Sequence, residues 1–248
     1  FAKAAKDSFI MAVTIHNVGR VFKELGQYNR ALDHLQISQK MSRQIHDVEG
    51  EPYSLDEIGD VLLRQGNYDS ALSTLFTSLK ESRKLNLTGL LPKSMSSIAK
   101  TYMQRGEFDT ALKYYDTTYT LYSRNKDNYG LAEVELGRGV VFQKQQRYED
   151  ALLSVTKSLA LAQKLNARIL EIQCFSQLSS LWEMKGDYRK SLQYFKRFKQ
   201  LEDTLFSQDM QAKLLRDQIR FETESKDSQI AALSQQQSTT EGALKRQE

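Results

Sequence analysis

The stretch Gly59-Asp-Val-Leu-Leu-Arg-Gln-Gly66-Asn-Tyr68-Asp-Ser-Ala71 decides the fold, because similar stretches recur along the chain. Each copy has a small residue, a glycine or glutamine seven positions later, an aromatic residue two positions further on, and a second small residue three positions after that. The closing small residues stand at 31, 71, 111, 151 and 191, so every step is 40 residues. A fixed period of this size is typical of a solenoid, in which each repeat packs only against its neighbours.

The residue types within each copy predict its local structure. The first small residue lets a neighbouring helix approach closely, and a large apolar residue three positions later lies on the same helical face. Those large residues are Phe22, Leu62, Tyr102, Phe142 and Trp182. The glycine, replaced once by Gln146, is suited to end a helix. The aromatic and small residues that follow, with a large residue four positions on, predict a second helix. Each copy is therefore predicted to be two antiparallel helices joined by a tight turn.

This pattern resembles the tetratricopeptide repeat, in which Gly, Tyr, Ala and Phe recur at these spacings. The resemblance covers about residues 12–205. It implies an all-α, right-handed α-solenoid of five helix pairs, at 12–51, 52–91, 92–131, 132–171 and 172–205. Because the usual period is about 34 residues, the chain looks like a long-helix variant. We expect the extra residues to lengthen the second helix and the loop between repeats.

Further predictions concern the two ends of the array and the starts of two helices. Residues 1–11 align with the end of a second helix followed by a turn at Asp7-Ser8, so we predict the tail of a preceding, truncated repeat in a longer array. Prolines at 52 and 92 are predicted to lie in the first turn of a helix, where the missing N–H costs nothing. Residues 206–248 are predicted to form a long helix with a frayed end. An apolar seam on it fails beyond Phe221, which favours a cap on repeat five and leaves a protruding stalk as the alternative.

Composition excludes several classes of protein. The net charge of +4 is divided unevenly, with −3 in residues 201–248 and therefore +7 in residues 1–200, and a basic array favours acidic partners. The chain has no cluster of Lys and Arg with interleaved aromatic residues, which is the pattern that indicates nucleic-acid binding. The sequence has no signal peptide and no apolar run of about 18 residues. No membrane contact is therefore expected of this fragment, although its parent is expected to be membrane-anchored. The single cysteine, Cys174, cannot form an internal disulfide and is predicted to pack in the core.

The chain also lacks the short motifs of common enzymes. There is no Gly-rich phosphate loop ending in Lys-Ser/Thr, no His-Glu-x-x-His sequence and no pair of cysteines. Its three histidines do not have the spacing of metal ligands. We therefore expect a protein that is not an enzyme and that needs no metal or cofactor.

The resemblance to tetratricopeptide repeats implies that the first helix of each pair lines a concave groove for a protein or peptide ligand. Transferred through the 40-residue register, the groove positions are His16, Arg20, Lys23, Tyr53, Asp56, Asp60, Arg64, Lys93, Ser96, Lys100, Gln104, Leu136, Val140, Lys144, Phe175, Ser180 and Glu183. They are charged at one end and more apolar at the other. Such a face suits an extended peptide or a helix with a charged end and an apolar end.

A second resemblance lies in the C-terminal segment. Asp203-Thr-Leu-Phe206, the run Phe221-Glu-Thr-Glu-Ser-Lys226 and the pair Ile230 and Leu233 are similar to the linker helix that follows the repeats of bacterial membrane-bound sensor histidine kinases. The likeness implies a sensor module that passes its ligand state to an output domain through this helix. It also implies a periplasmic location, and the weak seam predicts a monomer or weak dimer. The alternative is a stand-alone scaffold or co-chaperone, which would be cytoplasmic.

Overall fold

A computed structural model describes the backbone of residues 2–207 and 210 and the side chains of residues 7–207 and 210. Its contacts divide the chain into two compact units, Phe1–Phe195 and Lys196–Glu248. The described residues of the second unit, 196–207 and 210, are helical, and an ion pair joins Lys199 and Glu202 within it. The rest of the predicted cap or linker helix lies outside the described residues.

The first unit is a succession of antiparallel helix pairs. Its helices are α1 (Ala2–Glu24), α2 (Tyr28–Gln44), α3 (Gly50–Arg64), α4 (Tyr68–Lys84), α5 (Leu90–Gln104), α6 (Phe108–Arg124), α7 (Asn128–Lys144), α8 (Tyr148–Lys164) and α9 (Arg168–Met184), followed by helical residues 188–195. No strand occurs in residues 2–207. Each helix packs against the next one along the chain. This confirms the predicted all-α solenoid of helix pairs.

The turn inside each pair has the predicted chemistry. Gly26 ends α1 with a φ of 71°, and Gln146, which replaces glycine in the fourth copy, takes a φ of 61°. The Gly26 N–H donates to the Lys23 carbonyl at 3.0 Å and the Gln27 N–H donates to the Phe22 carbonyl at 2.9 Å. These two bonds satisfy carbonyls that the end of the helix leaves without partners. The left-handed residue therefore allows the chain to reverse within three residues.

Prolines shift the start of two helices. Pro52 and Pro92 are the third residues of α3 and α5, as the prediction of a first-turn position requires. Helices α7 and α9 lack proline and begin two register positions earlier, at Asn128 and Arg168. An equally early start of α3 would place Pro52 at the fifth position, where a helical backbone N–H is bonded. The connections between repeats therefore have five residues before α3 and α5 but only three before α7 and α9.

One prediction about the N-terminus is wrong. Helix α1 runs without a break from Ala2 to Glu24, so there is no turn at Asp7-Ser8. No glycine or proline precedes Gly19, and so nothing in this segment interrupts helical hydrogen bonding. The assignment of residues 1–11 to a preceding repeat stays a prediction.

The small residues of the repeat allow each pair to close. A Cβ atom added at Gly59 would lie 2.5 Å from Leu75 Cγ, and one at Gly139 would lie 2.4 Å from Val155 Cγ2. Leu75 and Val155 are completely buried. Cys174 is also buried, as predicted, and its thiol donates to the Ser158 hydroxyl at 3.2 Å.

Candidate functional site

The first helices of successive pairs form one layer. Helices α1, α3, α5, α7 and α9 contact each other in that order, across the second helices that separate them in sequence. The surface of this layer holds a cavity of about 640 Å³. Its lining comes mainly from α3, α5, α7 and α9, with Tyr115 contributed by α6. A concave site built by several repeats is thus present in the first unit.

The lining residues follow helical spacing on each helix. Their positions are Asp60, Leu63 and Arg64 on α3, Lys100, Met103 and Gln104 on α5, Glu133, Leu136, Gly137 and Val140 on α7, and Leu170 and Gln173 on α9. Residues three and four apart lie on one helical face, so each helix presents a single stripe. The α3 and α5 stripes are mostly charged or polar, whereas the α7 stripe is mostly apolar and the α9 stripe has one apolar and one polar residue.

The structure brings six of the predicted groove residues to this cavity. They are Asp60, Arg64, Lys100, Gln104, Leu136 and Val140. His16 and Tyr53 instead line a second cavity of about 290 Å³ between α1, α2 and α3. Five others line neither cavity and remain on the surface or half-buried: Arg20, Lys93, Lys144, Ser180 and Glu183.

Four predicted groove residues are buried and do not face a ligand. Lys23 is 7% exposed and Asp56 is 0% exposed, and Ser96 and Phe175 are buried as well. The Phe175 ring packs 6.3 Å from that of Tyr194, measured between ring centroids. The register correctly gives the helical face of these residues but not their depth, because depth depends on which side chains stand opposite on the neighbouring helix. As ligand contacts, these four were predicted wrongly.

Lys23 and Asp56 belong to a network of ion pairs that joins three first helices. Lys23 Nζ on α1 lies 2.7 Å from Glu57 Oε2 and 2.7 Å from Asp60 Oδ2, both on α3. Lys93 Nζ on α5 lies 2.6 Å from Glu57 Oε1 and 3.3 Å from Asp56 Oδ2. Two lysines therefore bridge three carboxylates. The charges at this end of the layer are largely neutralised by one another.

The pKa values within the network reflect burial and pairing. Burial pushes the pKa of Glu57 upward, but the positive charges of Lys93 and Lys23 outweigh it and hold that pKa at about 2. At Asp56, burial is the stronger influence and raises the pKa of the carboxyl group despite Lys93. Glu57 is thus held ionised by its partners, whereas ionisation of Asp56 is disfavoured.

Two charged residues in the cavity have no such partner. Within the part of the chain that the structure describes, neither Lys100 nor Glu133 forms an ion pair or a side-chain hydrogen bond, and both are half-buried. Asp60 is near Lys100, but its carboxylate pairs with Lys23 at 2.7 Å and with Arg64 at 3.4 Å. The cavity therefore has an unpaired cation on α5 and an unpaired carboxylate on α7.

The wall next to Glu133 contains a buried phenol. The Tyr115 side chain is completely buried, and its hydroxyl has no hydrogen-bond partner among the described residues. Burial, with a further contribution from the negative charge of Glu133, raises the pKa of Tyr115. A Cβ atom at Gly137 would lie 2.6 Å from the Tyr115 hydroxyl oxygen. Glycine at 137 therefore lets α7 pass directly over this ring.

The 40-residue register could have predicted some of the cavity-lining residues that are absent from the predicted groove. Glu133 and Gln173 stand 40 and 80 residues after Lys93, which was identified as a groove position. Leu63 and Met103 stand three residues after Asp60 and Lys100 and so share their helical face. Tyr115 offered no such signal, because its position on a second helix predicts only core packing.

The described residues show no arrangement suited to a metal ion or a membrane. Across residues 7–207 and 210, no three His, Cys, Asp or Glu side chains come together to form a metal site. In the same part of the chain, no helix combines the length and the apolar character of a membrane span.

Comparison with known families identifies the repeat. The family model described as tetratricopeptide repeat matches residues 10–80 and 91–164, which together make up more than half of the chain. The chain belongs to the tetratricopeptide repeat family. This agrees with the first resemblance drawn from the sequence. No curated protein sequence matches the chain.

Solved structures with the same fold include proteins of several kinds. BtubC (BKLC) from P. vanneervenii superposes with a TM-score of 0.64 at 17% identity, over 82% of this chain and 90% of that one. The Rap conjugation gene regulator of plasmid pLS20, in complex with the Phr* peptide, gives a TM-score of 0.73 at 12% identity, over 83% and 57% of the two chains. A Rap protein complexed with competence and sporulation factor gives 0.63 at 11% identity, over 81% and 66%. At these identities the likeness shows a shared tetratricopeptide fold.

Proposed function

We propose that this tetratricopeptide repeat chain is a non-catalytic module that binds a segment of another protein, or a peptide, in the groove formed by α3, α5, α7 and α9. The observation that carries the proposal is the cavity of about 640 Å³ that four successive repeats build together. Leu136 and Val140 give it a half-buried apolar surface, and Lys100 and Glu133 give it charges that have no partner among the described residues. Concave sites with apolar walls and a few placed polar groups are typical of ligand binding.

The shape of the groove favours an extended or helical ligand. Its lining spreads over four parallel stripes, so a chain segment crossing the layer meets a new stripe at each first helix. Peptides recognised in grooves use side-chain anchors at regular intervals. The peptide complex of the Rap conjugation gene regulator, which has the same fold, supports this proposal.

More specifically, we propose that the module is the sensor region of a bacterial signal-transduction receptor of the histidine kinase type, located in the periplasm. Its support is the similarity of residues 203–206 and of the segment from Phe221 to Leu233 to the linker helix of such receptors. Most of that segment lies outside the described residues. The competing proposal is a cytoplasmic scaffold or co-chaperone.

Binding is tested by selecting ligands for the full chain from a random peptide display library and measuring their affinities by calorimetry. We expect Leu136→Arg, which places a charge in the apolar part of the groove, to weaken binding about tenfold or more. Leu153 on α8 is 57% exposed and does not line the groove, so Leu153→Arg is the matched control and should leave affinity unchanged. Equal effects of the two variants would contradict binding in the groove.

The sensor proposal is tested by the gene sequence beyond the codon for Glu248 and by sedimentation. A following transmembrane helix and kinase domain are expected, whereas a stop codon at that point would support the scaffold. We also expect the full chain to sediment at micromolar concentration as a monomer or weak dimer. A tight dimer would contradict the interpretation of the C-terminal seam as weak.

A further inference from the structure

Among the described residues, the groove has an unpaired negative charge at its α7 end and an unpaired positive charge at its α5 end. At the α7 end, Glu133 has no cation within ion-pairing distance among the described residues. Lys93, at the equivalent position on α5, is held by Glu57 and Asp56 instead. Arg138 on α7 is likewise engaged, with Asp116 and Glu135. Among the described residues, the Glu133 carboxylate is therefore left without a cationic partner.

At the α5 end, the unpaired charge is positive. Asp60 is the nearest acidic residue to Lys100 in the groove, and Lys23 and Arg64 already occupy its carboxylate. Burial raises the pKa of Asp60, but that pKa is lowered overall by Lys23 and, to a smaller extent, by Lys100. Because the Asp60 carboxylate is already occupied, Lys100 has no anionic partner among the described residues, and a second anion is needed to pair with it.

The helix geometry sets the distance between the backbone positions of the two charged residues. Glu133 precedes Val140 by seven residues, or about 10 Å along α7 at the helical rise. Val140 and Lys100 occupy the same register position on α7 and α5, whose axes lie about 10 Å apart for packed helices. The diagonal from Glu133 to Lys100 is then about 14 Å, which an extended chain spans in about four residues.

The surface between the charges is apolar. Leu136 lies on α7 between the levels of Glu133 and Lys100, and Val140 lies on α7 at the level of Lys100. Tyr115 is buried against Gly137 behind them. A segment that crosses this surface can therefore place apolar side chains between its charged ones.

We infer that the groove selects an extended segment with one basic and one acidic side chain about four residues apart. The basic side chain pairs with Glu133, the acidic side chain pairs with Lys100, and an apolar side chain between them contacts Leu136 and Val140. This inference rests on the proposed function, because it names the chemistry of the segment that the groove binds. Charge complementarity of this kind sets specificity and register more than total affinity.

The test uses pools of blocked peptides, acetylated and amidated so that they carry no terminal charge. The bipolar pools have the form Arg-x-x-x-Glu and Glu-x-x-x-Arg, where x is a mixture of Leu, Val, Ala and Ser. The comparison pools carry Arg at both ends, Glu at both ends, or Gln at both ends. Binding of each fluorescent pool to the full chain is measured by anisotropy. We expect one of the two bipolar pools to bind about tenfold tighter than any comparison pool.

Charge-reversal variants should then switch the preference. Glu133→Lys leaves two cations in the groove and should favour the pool with Glu at both ends, whereas Lys100→Glu should favour the pool with Arg at both ends. Asp33→Lys on α2 and Lys113→Glu on α6 make the same charge changes at exposed sites outside the groove, and should preserve the bipolar preference. Melting curves confirm that each variant is folded.

The outcomes separate this inference from the proposed function. If all pools bind equally and Leu136→Arg weakens them all, the groove binds peptides but the charge inference is wrong. If the preference is bipolar but Asp33→Lys or Lys113→Glu shifts it as strongly, the charges act at long range and the inference is also wrong. If no pool binds, and peptides selected by display are unaffected by Leu136→Arg, both proposals are overturned.

Discussion

The first helices in the two halves of the array pack against one another through different side-chain chemistry. Where α3 carries Asp56 and Glu57, α7 carries Leu136 and Gly137 at the same register positions. Where α1 carries Lys23, α7 carries Gln143, which donates a hydrogen bond to the Ser180 hydroxyl on α9 at 3.1 Å. Ion pairs thus join α1, α3 and α5, whereas α5, α7 and α9 meet through apolar and amide groups.

The difference bears on where the proposed ligand would bind. In the ionic half, side chains from neighbouring helices reach across and pair with each other, so little charge is left for a partner. In the apolar half, the positions of Asp56 and Glu57 hold Leu136 and Gly137, which form no ion pairs and leave an apolar surface. Buried ion pairs need not be more stable than apolar contacts, because desolvation offsets most of their attraction. The ionic half is therefore a flank whose charges neutralise one another, and the proposed binding surface begins at its edge.

The largest effect is expected from breaking the ionic half at Lys23. Lys23→Met removes two pairs at 2.7 Å and leaves the buried Glu57 short of a partner. Breaking a buried pair from one side costs about 3–5 kcal/mol of stability, measured as the free energy of unfolding of the full chain in urea. Gln143→Met, at the same register position in the apolar half, should cost only about 1–2 kcal/mol, since it loses neutral hydrogen bonds with Ser180 and Gln177 but no ion pair. Similar losses in the two variants would show that the halves do not differ in this way.

A smaller effect is expected from crowding the contact inside a repeat. Ala71 and Ala111 are completely buried, and each lies between repeats on both sides. Leucine at either position should overpack the contact and cost about 1–3 kcal/mol. Ser191, at the equivalent position in repeat five, is only half-buried, so Ser191→Leu should cost less. Thermal melting of the three variants measures the difference, and equal shifts would contradict it.

The apolar half should be sensitive at Gly137. An added methyl group there would lie 2.6 Å from the buried Tyr115 hydroxyl, so the Tyr115 ring would have to shift to accommodate it. Gly137→Ala should therefore cost about 1–2 kcal/mol. Ser97→Ala, at the same position on α5, removes one hydroxyl without adding volume and should change stability by less than about 1 kcal/mol. A neutral Gly137→Ala variant would mean that the Tyr115 wall is loosely packed.

The sequence predicted the fold through features that repeat and missed those that do not. The small residues at 59 and 71 are fixed by contacts that recur in every pair, so their period is visible. The depth of Lys23 depends on Glu57 and Asp60, two acidic residues that other repeats lack, and no periodic pattern reports such a pairing. Glu133 was missed for the opposite reason, because its register position was known but its unpaired charge appears only when its neighbours in space are known.

The smallest effect, and the one that probes the ionic half most directly, is its response to acid. The pKa of Glu57 is lowered from an ordinary value of 4.5 to about 2, and the pKa of Asp60 is lowered too. Groups with a lowered pKa in the folded state stabilise it above the ordinary value, and this contribution is lost as the pH falls toward the lowered one. Asp56 acts in reverse, because its raised pKa makes protonation favour the folded state, and that gain is lost as the pH rises. The two contributions partly cancel in the intact network.

Removing the groups one at a time should therefore separate the two contributions. Between pH 4.5 and about 2, we expect the free energy of unfolding to fall less steeply in Glu57→Gln than in the unmodified chain, because the group that loses its partners on protonation is gone. At pH values above 3.8, the ordinary pKa of Asp56, acid stabilises the unmodified chain by protonating this group. That gain in stability should be absent in Asp56→Asn. Asp33→Asn, at an exposed site on α2, is the control and should leave both slopes unchanged. Urea unfolding at a series of pH values gives the slopes. If the Glu57→Gln profile has the slope of the unmodified chain, Lys23 and Lys93 do not hold Glu57 ionised, and the ionic half is not joined by these pairs in solution.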